Sequence, residues 1–233
     1  MPLRAVLWDV DDTLFDYSGA DRLALERHLA GERPGADALD RWRASMRQHW
    51  ARFVAGEIGF EEQRRERVRT FLGRPLSDAE ADAWFLGYHA HYRASWRLFP
   101  DVLAALDELA GDFRHAVLSN SSLRHQDRKL TVLGVRERFE AVVCADDIGV
   151  GKPAPAAFLA ACEALGLPPG DVVYVGDEPD VDAAAAASAG LAAVWLDRGG
   201  LGGRPELVRI TGLGPLPALL RGTTRFGARP GIG

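Results

Sequence analysis

The chain predicts an α/β fold: a doubly wound parallel sheet with an all-helical domain inserted after its first strand. Three observations predict it. A short apolar run, Ala5–Trp8, meets a cluster of aspartates, Asp9, Asp11 and Asp12. Residues 16–97 hold no convincing strand. From Pro100 onward, short apolar runs alternate with helical patterns at the spacing of a parallel sheet and its crossover helices.

At 233 residues the chain suits one large domain or two modest ones, and it can bury a sizeable core. A hydrophobic content of 47% and a charged content of 26% belong to a soluble globular protein. The net charge of −5 argues against non-specific nucleic-acid binding. Basic residues are almost all arginine. Lys129 and Lys152 are the only lysines, and each merits inspection, although composition assigns neither a role. Cys144 and Cys162 show no metal-binding spacing and read as reduced core residues, which fits the cytosol. The apolar run near the N-terminus is too short for a signal-peptide core. No stretch of about 20 apolar residues offers a membrane span.

Taken in order, Leu3–Trp8 reads as a buried strand. The helical insertion follows. Leu39, Trp42, Met46, Trp50, Phe53 and Val54 recur at three- and four-residue intervals, one helical face. Phe60–Leu72 is helical and rich in arginine and glutamate. Ser77 and Glu80 have the spacing of a capping box. Trp84, Phe85, Tyr88, Tyr92 and Trp96 then form a second aromatic stripe. Breaks are expected at Gly31–Gly35, Gly56–Gly59 and Gly73–Pro75.

Beyond Pro100 the expected order is helix Val102–Leu109, strand Ala116–Leu118 ending at Ser119, helix Leu123–Leu133 and strand Phe139–Cys144. The loop Ala145–Pro155, helix Ala156–Leu165 and strand Val172–Val175 ending at Gly176 and Asp177 come next. An alanine-rich helix, Val181–Ala189, closes at Gly190, and Ala192–Leu196 is the last clear strand. Leu207–Leu220 reads as a short docked segment, and a mobile tail is expected from Gly222.

Chemistry gathers where the strands end. Three carboxylates within four residues repel one another, and a bound cation relieves that repulsion. Asp9/Asp11, Ser119/Asn120, Lys152 and Asp177/Asp182 converge on one sheet edge if the crossovers are right-handed. Carboxylates, a hydroxyl, backbone amides and an ammonium are the parts that phosphate chemistry with magnesium requires. A carboxylate can serve as nucleophile, and an ammonium and a hydroxyl can hold phosphoryl oxygens.

In that order, DVDDTL, LSNSS, GKPAP and VGDEPDVD resemble the four motifs of the haloacid dehalogenase-like hydrolase superfamily, across roughly residues 3–200. The resemblance implies a Rossmann-like core (1–15 with 98–200), a helical C1-type cap (16–97) and a C-terminal segment (201–233), partly flexible. It implies that Asp9 is the nucleophile and that Asp11 is the general acid and then the base. Ser119 matches the phosphate-binding hydroxyl, with Asn120 as a helper, and Lys152 matches the lysine that orients nucleophile and phosphate. It implies that magnesium is held by Asp9, the Asp11 backbone carbonyl and Asp177, with Asp182 as a second acid ligating directly or through water, and that Thr13 fixes the loop around Asp11.

The chain departs from the pattern at Asp12 and Asp101, where glycine is commoner, and at Glu178, where a small polar residue is frequent. None of these removes a catalytic group. GVGKP is not a P-loop, because the spacing fails at Asp146 and Pro153 replaces the required hydroxyl residue. The glycines at 199–203 open no convincing helix, and His89 and His91 point to different helical faces.

The expected activity is magnesium-dependent hydrolysis of a small phosphorylated metabolite through an aspartyl-phosphate, in the cytoplasm. The alternatives are a 2-haloacid dehalogenase, a sugar-phosphate mutase and a non-catalytic member of the fold. Asp11 counts against the dehalogenase. The absence of lysine from 16–97 counts against a phosphonate hydrolase, which needs a cap lysine. The natural substrate and the oligomeric state are not readable.

Overall fold

A computed structural model describes residues 2–32 and 35–222, apart from the side chain of 54. Part of the break expected at Gly31–Gly35, and the tail expected beyond Gly222, lie outside the described residues.

The chain divides into two compact units, residues 1–16 with 97–233 and residues 17–96. In chain order the elements are strand β1 (Ala5–Trp8), helices α1 (Tyr17–His28), α2 (Ala38–Val54), α3 (Phe60–Leu72), α4 (Asp78–Ala94) and α5 (Val102–Leu109), then strand β2 (Arg114–Ser119) and helix α6 (Leu123–Val132). Strand β3 (Ala141–Cys144), helices α7 (Ala145–Ile148) and α8 (Pro155–Leu165), strand β4 (Val172–Gly176), helix α9 (Ala185–Ser188), strands β5 (Ala192–Leu196) and β6 (Arg209–Ile210) and helix α10 (Leu216–Arg221) complete the chain.

The first unit is built on a six-stranded parallel sheet in the order β3-β2-β1-β4-β5-β6, the order of a Rossmann-like doubly wound fold. Strand β1 is central and wholly buried, which is why Ala5–Trp8 is a continuous apolar run rather than an alternating one. Register does the rest. Trp8 pairs with Val117 on one side and Val175 on the other, and Ser119 pairs with Cys144. The strands therefore finish level, and the residues that follow them share one edge.

Several boundaries differ from the expected ones, each for a local reason. Phe139 and Glu140 lie outside the third strand because a 3-10 turn, Arg136–Arg138, precedes it. The loop expected from Ala145 opens with the single helical turn α7, closed by Gly149 at φ +72. The alanine-rich helix begins as a π-helical turn, Pro179–Ala184, before tightening into α9. Residues beyond 196 add the two-residue strand β6, too short for an alternating pattern to register.

The second unit holds α1 to α4. Ser77 caps α4: its hydroxyl accepts from Glu80 N at 3.3 Å, while Glu80 Oε2 accepts from Ser77 N at 2.8 Å. At the centre of this unit Asp21 is 1% exposed. It accepts from Trp42 Nε1 at 2.9 Å, Tyr88 OH at 2.6 Å and Arg43 Nε at 3.2 Å. Burying that carboxylate is costly unless it is fully hydrogen-bonded, and these three donors satisfy it. Among the described residues no helix is long and apolar enough to cross a membrane. Both cysteines are buried and free.

Candidate active site

The turn after β1 is tight because three amides converge on one carbonyl. Val10 O accepts from Thr13, Leu14 and Phe15 N at 3.3, 2.9 and 2.8 Å. This folds Asp9 and Asp11 back over the sheet edge. Asp12 takes up a left-handed conformation, φ 60, where glycine is unstrained and aspartate is among the residues that tolerate it. That geometry is why glycine is the commoner occupant there. The chain leaves the turn through a short ribbon: Phe15 bridges Leu98, Phe99 N donates to Leu14 O at 3.0 Å, and Asp16 N donates to Arg97 O at 3.1 Å.

Lys152 is the hub of the site. Its ammonium donates to Asp9 Oδ1 at 2.7 Å, to Asp182 Oδ1 at 2.7 Å and to the Tyr174 hydroxyl at 2.8 Å. All three protons of the ammonium are thus used. Tyr174 OH in turn donates to Asp182 Oδ1 at 2.9 Å, and Asp182 Oδ2 accepts from Glu178 N at 3.0 Å. The wide π-helical turn brings Asp182 under the end of β4, and Gly176 makes room for it. A Cβ at Gly176 would lie 2.5 Å from Asp182 Cγ.

Asn120 clamps the same lysine by its backbone. Its side chain donates to Lys152 O at 2.8 Å and accepts from Lys152 N at 2.7 Å. Gly151 is required beside it, because a Cβ there would lie 2.7 Å from Asn120 Oδ1. The Asn120 side chain is thus spent mainly on the Lys152 loop. Thr13 is fully buried, and its hydroxyl approaches Asp177 Oδ1 at 3.5 Å.

Asp9, Asp177 and Asp182 each bring a carboxylate oxygen within 4.8 Å of the others. Against three carboxylates this cluster has one ammonium. Burial, reinforced by Asp182 and Asp11, holds Asp9 up at about 7 despite the pull of Lys152. Burial, with Asp9 and Asp182 beside it, pushes Asp177 up to about 9. Burial alone would lower Lys152, but Asp9 and Asp182 carry it above the ordinary lysine value. Asp9 Oδ2 is buried without a hydrogen-bond partner. An orphaned carboxylate oxygen in an over-acidic, all-oxygen cluster fits a hard divalent cation such as Mg2+. Since both Asp182 oxygens already accept hydrogen bonds, Asp9 and Asp177 are the better-disposed ligands.

Asp11 stands apart from that cluster. Gln126 Nε2 donates to its Oδ2 at 2.7 Å, and the Lys129 ammonium donates to its Oδ1. Burial raises Asp11, but the charge and hydrogen bond of Lys129, with that of Gln126, outweigh it and hold Asp11 below the ordinary carboxylate value. The same Gln126 nitrogen donates to Ser119 Oγ at 2.9 Å. The structure thus brings all eight expected residues to one sheet edge and adds Tyr174, Gln126 and Lys129. Only Lys129 carried a signal in the sequence, its rarity. Gln126 and Tyr174 sit in ordinary helix and strand patterns.

A family model described as haloacid dehalogenase-like hydrolase matches residues 3–190. The chain is 32% identical over 203 residues to a glyceraldehyde 3-phosphate phosphatase of Methanopyrus kandleri, covering 84% of this chain and 85% of that protein. The HAD-hydrolase YfnB from Bacillus subtilis, solved bound to magnesium, superposes with a TM-score of 0.77 at 21% identity, over 94% of this chain and 99% of that one. A 2-haloacid dehalogenase from Pseudomonas syringae superposes with a TM-score of 0.68 at 26% identity, over 94% and 98%.

Proposed function

The chain belongs to the haloacid dehalogenase-like hydrolase family, and from that premise we propose that it is a Mg2+-dependent phosphatase of a small phosphorylated metabolite, working through an aspartyl-phosphate. The observation that carries this reading is the Asp9–Asp177–Asp182 cluster, three carboxylates within 4.8 Å around a single ammonium. A dehalogenase attacking carbon needs no cation, and it gains nothing from a third acid pushed up to about 9 at Asp177. The phosphatase activity of the Methanopyrus relative supports the substrate class.

Asp9 attacks phosphorus in line as a carboxylate, and the ester P–O bond breaks as the new P–O bond forms. Lys152 holds Asp9 Oδ1 and so fixes the direction of the attacking carboxylate. Asp11, ionised in the resting site, takes up a proton when the phosphate monoester binds and gives it to the departing oxygen. It then takes one from the water that attacks phosphorus, releasing phosphate and free Asp9. Ser119 Oγ, oriented by Gln126, binds a phosphoryl oxygen. Asp182 and Tyr174 hold Lys152 in place, and Asn120 holds its loop. When bound by Asp9, Asp177 and the Asp11 carbonyl, Mg2+ supplies the positive charge that offsets the phosphoryl oxygens. We assign substrate choice to the inserted helical unit and the site of action to the cytosol. The two buried free thiols support that compartment.

The test is turnover of 4-nitrophenyl phosphate and of a panel of phosphorylated sugars, sugar acids and amino acids. Hydrolysis lost on adding EDTA, restored by Mg2+ and abolished in Asp9→Asn is the expected result. Metal-independent halide release from a 2-haloacid would overturn it.

A further inference from the structure

The chain contains two lysines. All its other basic side chains apart from histidine are arginine. Both lysines are buried, Lys152 at 8% exposure and Lys129 at 1%, and each is paired with one aspartate of the first strand end. Lys152 grips Asp9. Lys129 grips Asp11, and the mechanism above makes no use of it.

Burying an ammonium is costly unless it is paired, so its placement calls for a partner that offsets the lost hydration. Lys129 projects from α6 between the Asp11 carboxylate and the Phe15 ring, whose centroid is 4.4 Å away. Gln126, three residues earlier on the same helical face, is 0% exposed. Together they donate to both oxygens of Asp11. An ionised carboxylate only accepts hydrogen bonds, so two donors aimed at its two oxygens match the ionised form and fix its plane. Lysine suits the place: a compact charge on a flexible stem reaches one oxygen from inside a helix–sheet layer.

We infer that Lys129, with Gln126, is a positioning residue for the second half of the reaction: it holds Asp11 oriented as the base that activates water against the aspartyl-phosphate. This rests on the phosphatase reading. With a nitrophenolate leaving group the first half needs no acid, so the loss falls on one side. Breakdown of the phosphoenzyme depends on Lys129, and its formation does not.

The experiment is rapid-quench kinetics on 4-nitrophenyl phosphate with Mg2+, comparing wild type, Lys129→Met and Lys129→Gln, the last keeping a hydrogen-bond donor should the methionine variant fail to fold. Expected is a phosphoenzyme decay at least tenfold slower. The kcat should fall while KM falls with it, leaving kcat/KM within about twofold. A burst of nitrophenolate should appear before the steady state. Formation and decay slowed equally, or decay at the wild-type rate, would overturn the inference. Two controls separate this from the underlying reading. Wild type without turnover, or Asp9→Asn with full turnover, sinks the phosphatase itself. Wild type active, Asp9→Asn inactive and no split in the Lys129 variants sinks only the role given to Lys129.

Discussion

Replacing Gly176 by alanine tests how firmly the site is braced from below. The added Cβ would lie 2.5 Å from Asp182 Cγ and Oδ2 and 2.7 Å from its Cβ. Ordinary contact begins at 3.4 Å, so something must yield by about 0.9 Å. The Asp182 side chain is not free to yield. It is 1% exposed, and Lys152, Tyr174 and Glu178 N hold it at 2.7, 2.9 and 3.0 Å. Moving it that far stretches the lysine contact beyond hydrogen-bond range. Overpacking contributes about 1–3 kcal/mol. Weakening a charge-assisted bond inside the buried network contributes about 1.5–3 kcal/mol. The expected destabilisation is therefore about 3–5 kcal/mol, a large share of a total that is usually 5–15 kcal/mol. It is read as a lowered midpoint in urea unfolding at pH 7. Turnover of the folded fraction should drop as well, because Lys152 loses an anchor. A Gly176→Ala protein with the wild-type midpoint would refute the close packing from which the cost was worked.

Two further perturbations address regions away from the cluster. His115 Nδ1 accepts from Trp8 Nε1 at 3.0 Å, its Nε2 is buried without a partner, and burial holds it down at about 4. A histidine depressed in the folded state stabilises fully above its unfolded value of about 6.5, and that stability is lost as pH falls toward 4, at about 1.4 kcal/mol per pH unit. By pH 5 about 2 kcal/mol is gone. In His115→Phe this part of the loss between pH 7 and pH 5 should disappear, although Trp8 without its acceptor lowers stability at pH 7; equal losses in the two proteins would contradict it. In the helical unit, Asp21→Ala leaves Trp42, Arg43 and Tyr88 without their acceptor. A thermal-unfolding loss of about 3–5 kcal/mol is expected, and a change under 1 kcal/mol would show that the network is not holding that unit together.

The sheet and its edge were legible because buried parallel strands leave apolar runs and their ends leave polar residues. Asp9 and Asp177 stand just past such a run, Ser119 ends one, and Lys152 lies in the loop that follows another. Register cannot be seen in one dimension, yet Trp8 opposite Val117 and Val175 is what levels those ends. What escaped the sequence was whatever depends on reach. Tyr174 reads as one more strand residue until its hydroxyl is found between Lys152 and Asp182. Gln126 reads as the polar face of α6 until that face proves to be turned inward, toward Asp11 and Ser119. The π-helical start at Pro179 was hidden because Val181–Ala189 has good helical composition throughout. The widening is imposed by the need to tuck Asp182 beneath Gly176 rather than by propensity.

The ribbon that leaves the first turn has a consequence for how such a chain can change. Asp16 and Arg97 are joined by a backbone hydrogen bond and a side-chain ion pair, so about 80 residues depart from and return to almost one point. The sheet is indifferent to what hangs there. The entropy of closing a detour grows only logarithmically with its length, so a tenfold longer one costs about 2 kcal/mol more. A different module, or a plain hairpin turn, could be spliced between the same two residues without redrawing a strand. The strand ends would keep their chemistry while the inserted piece was free to be exchanged.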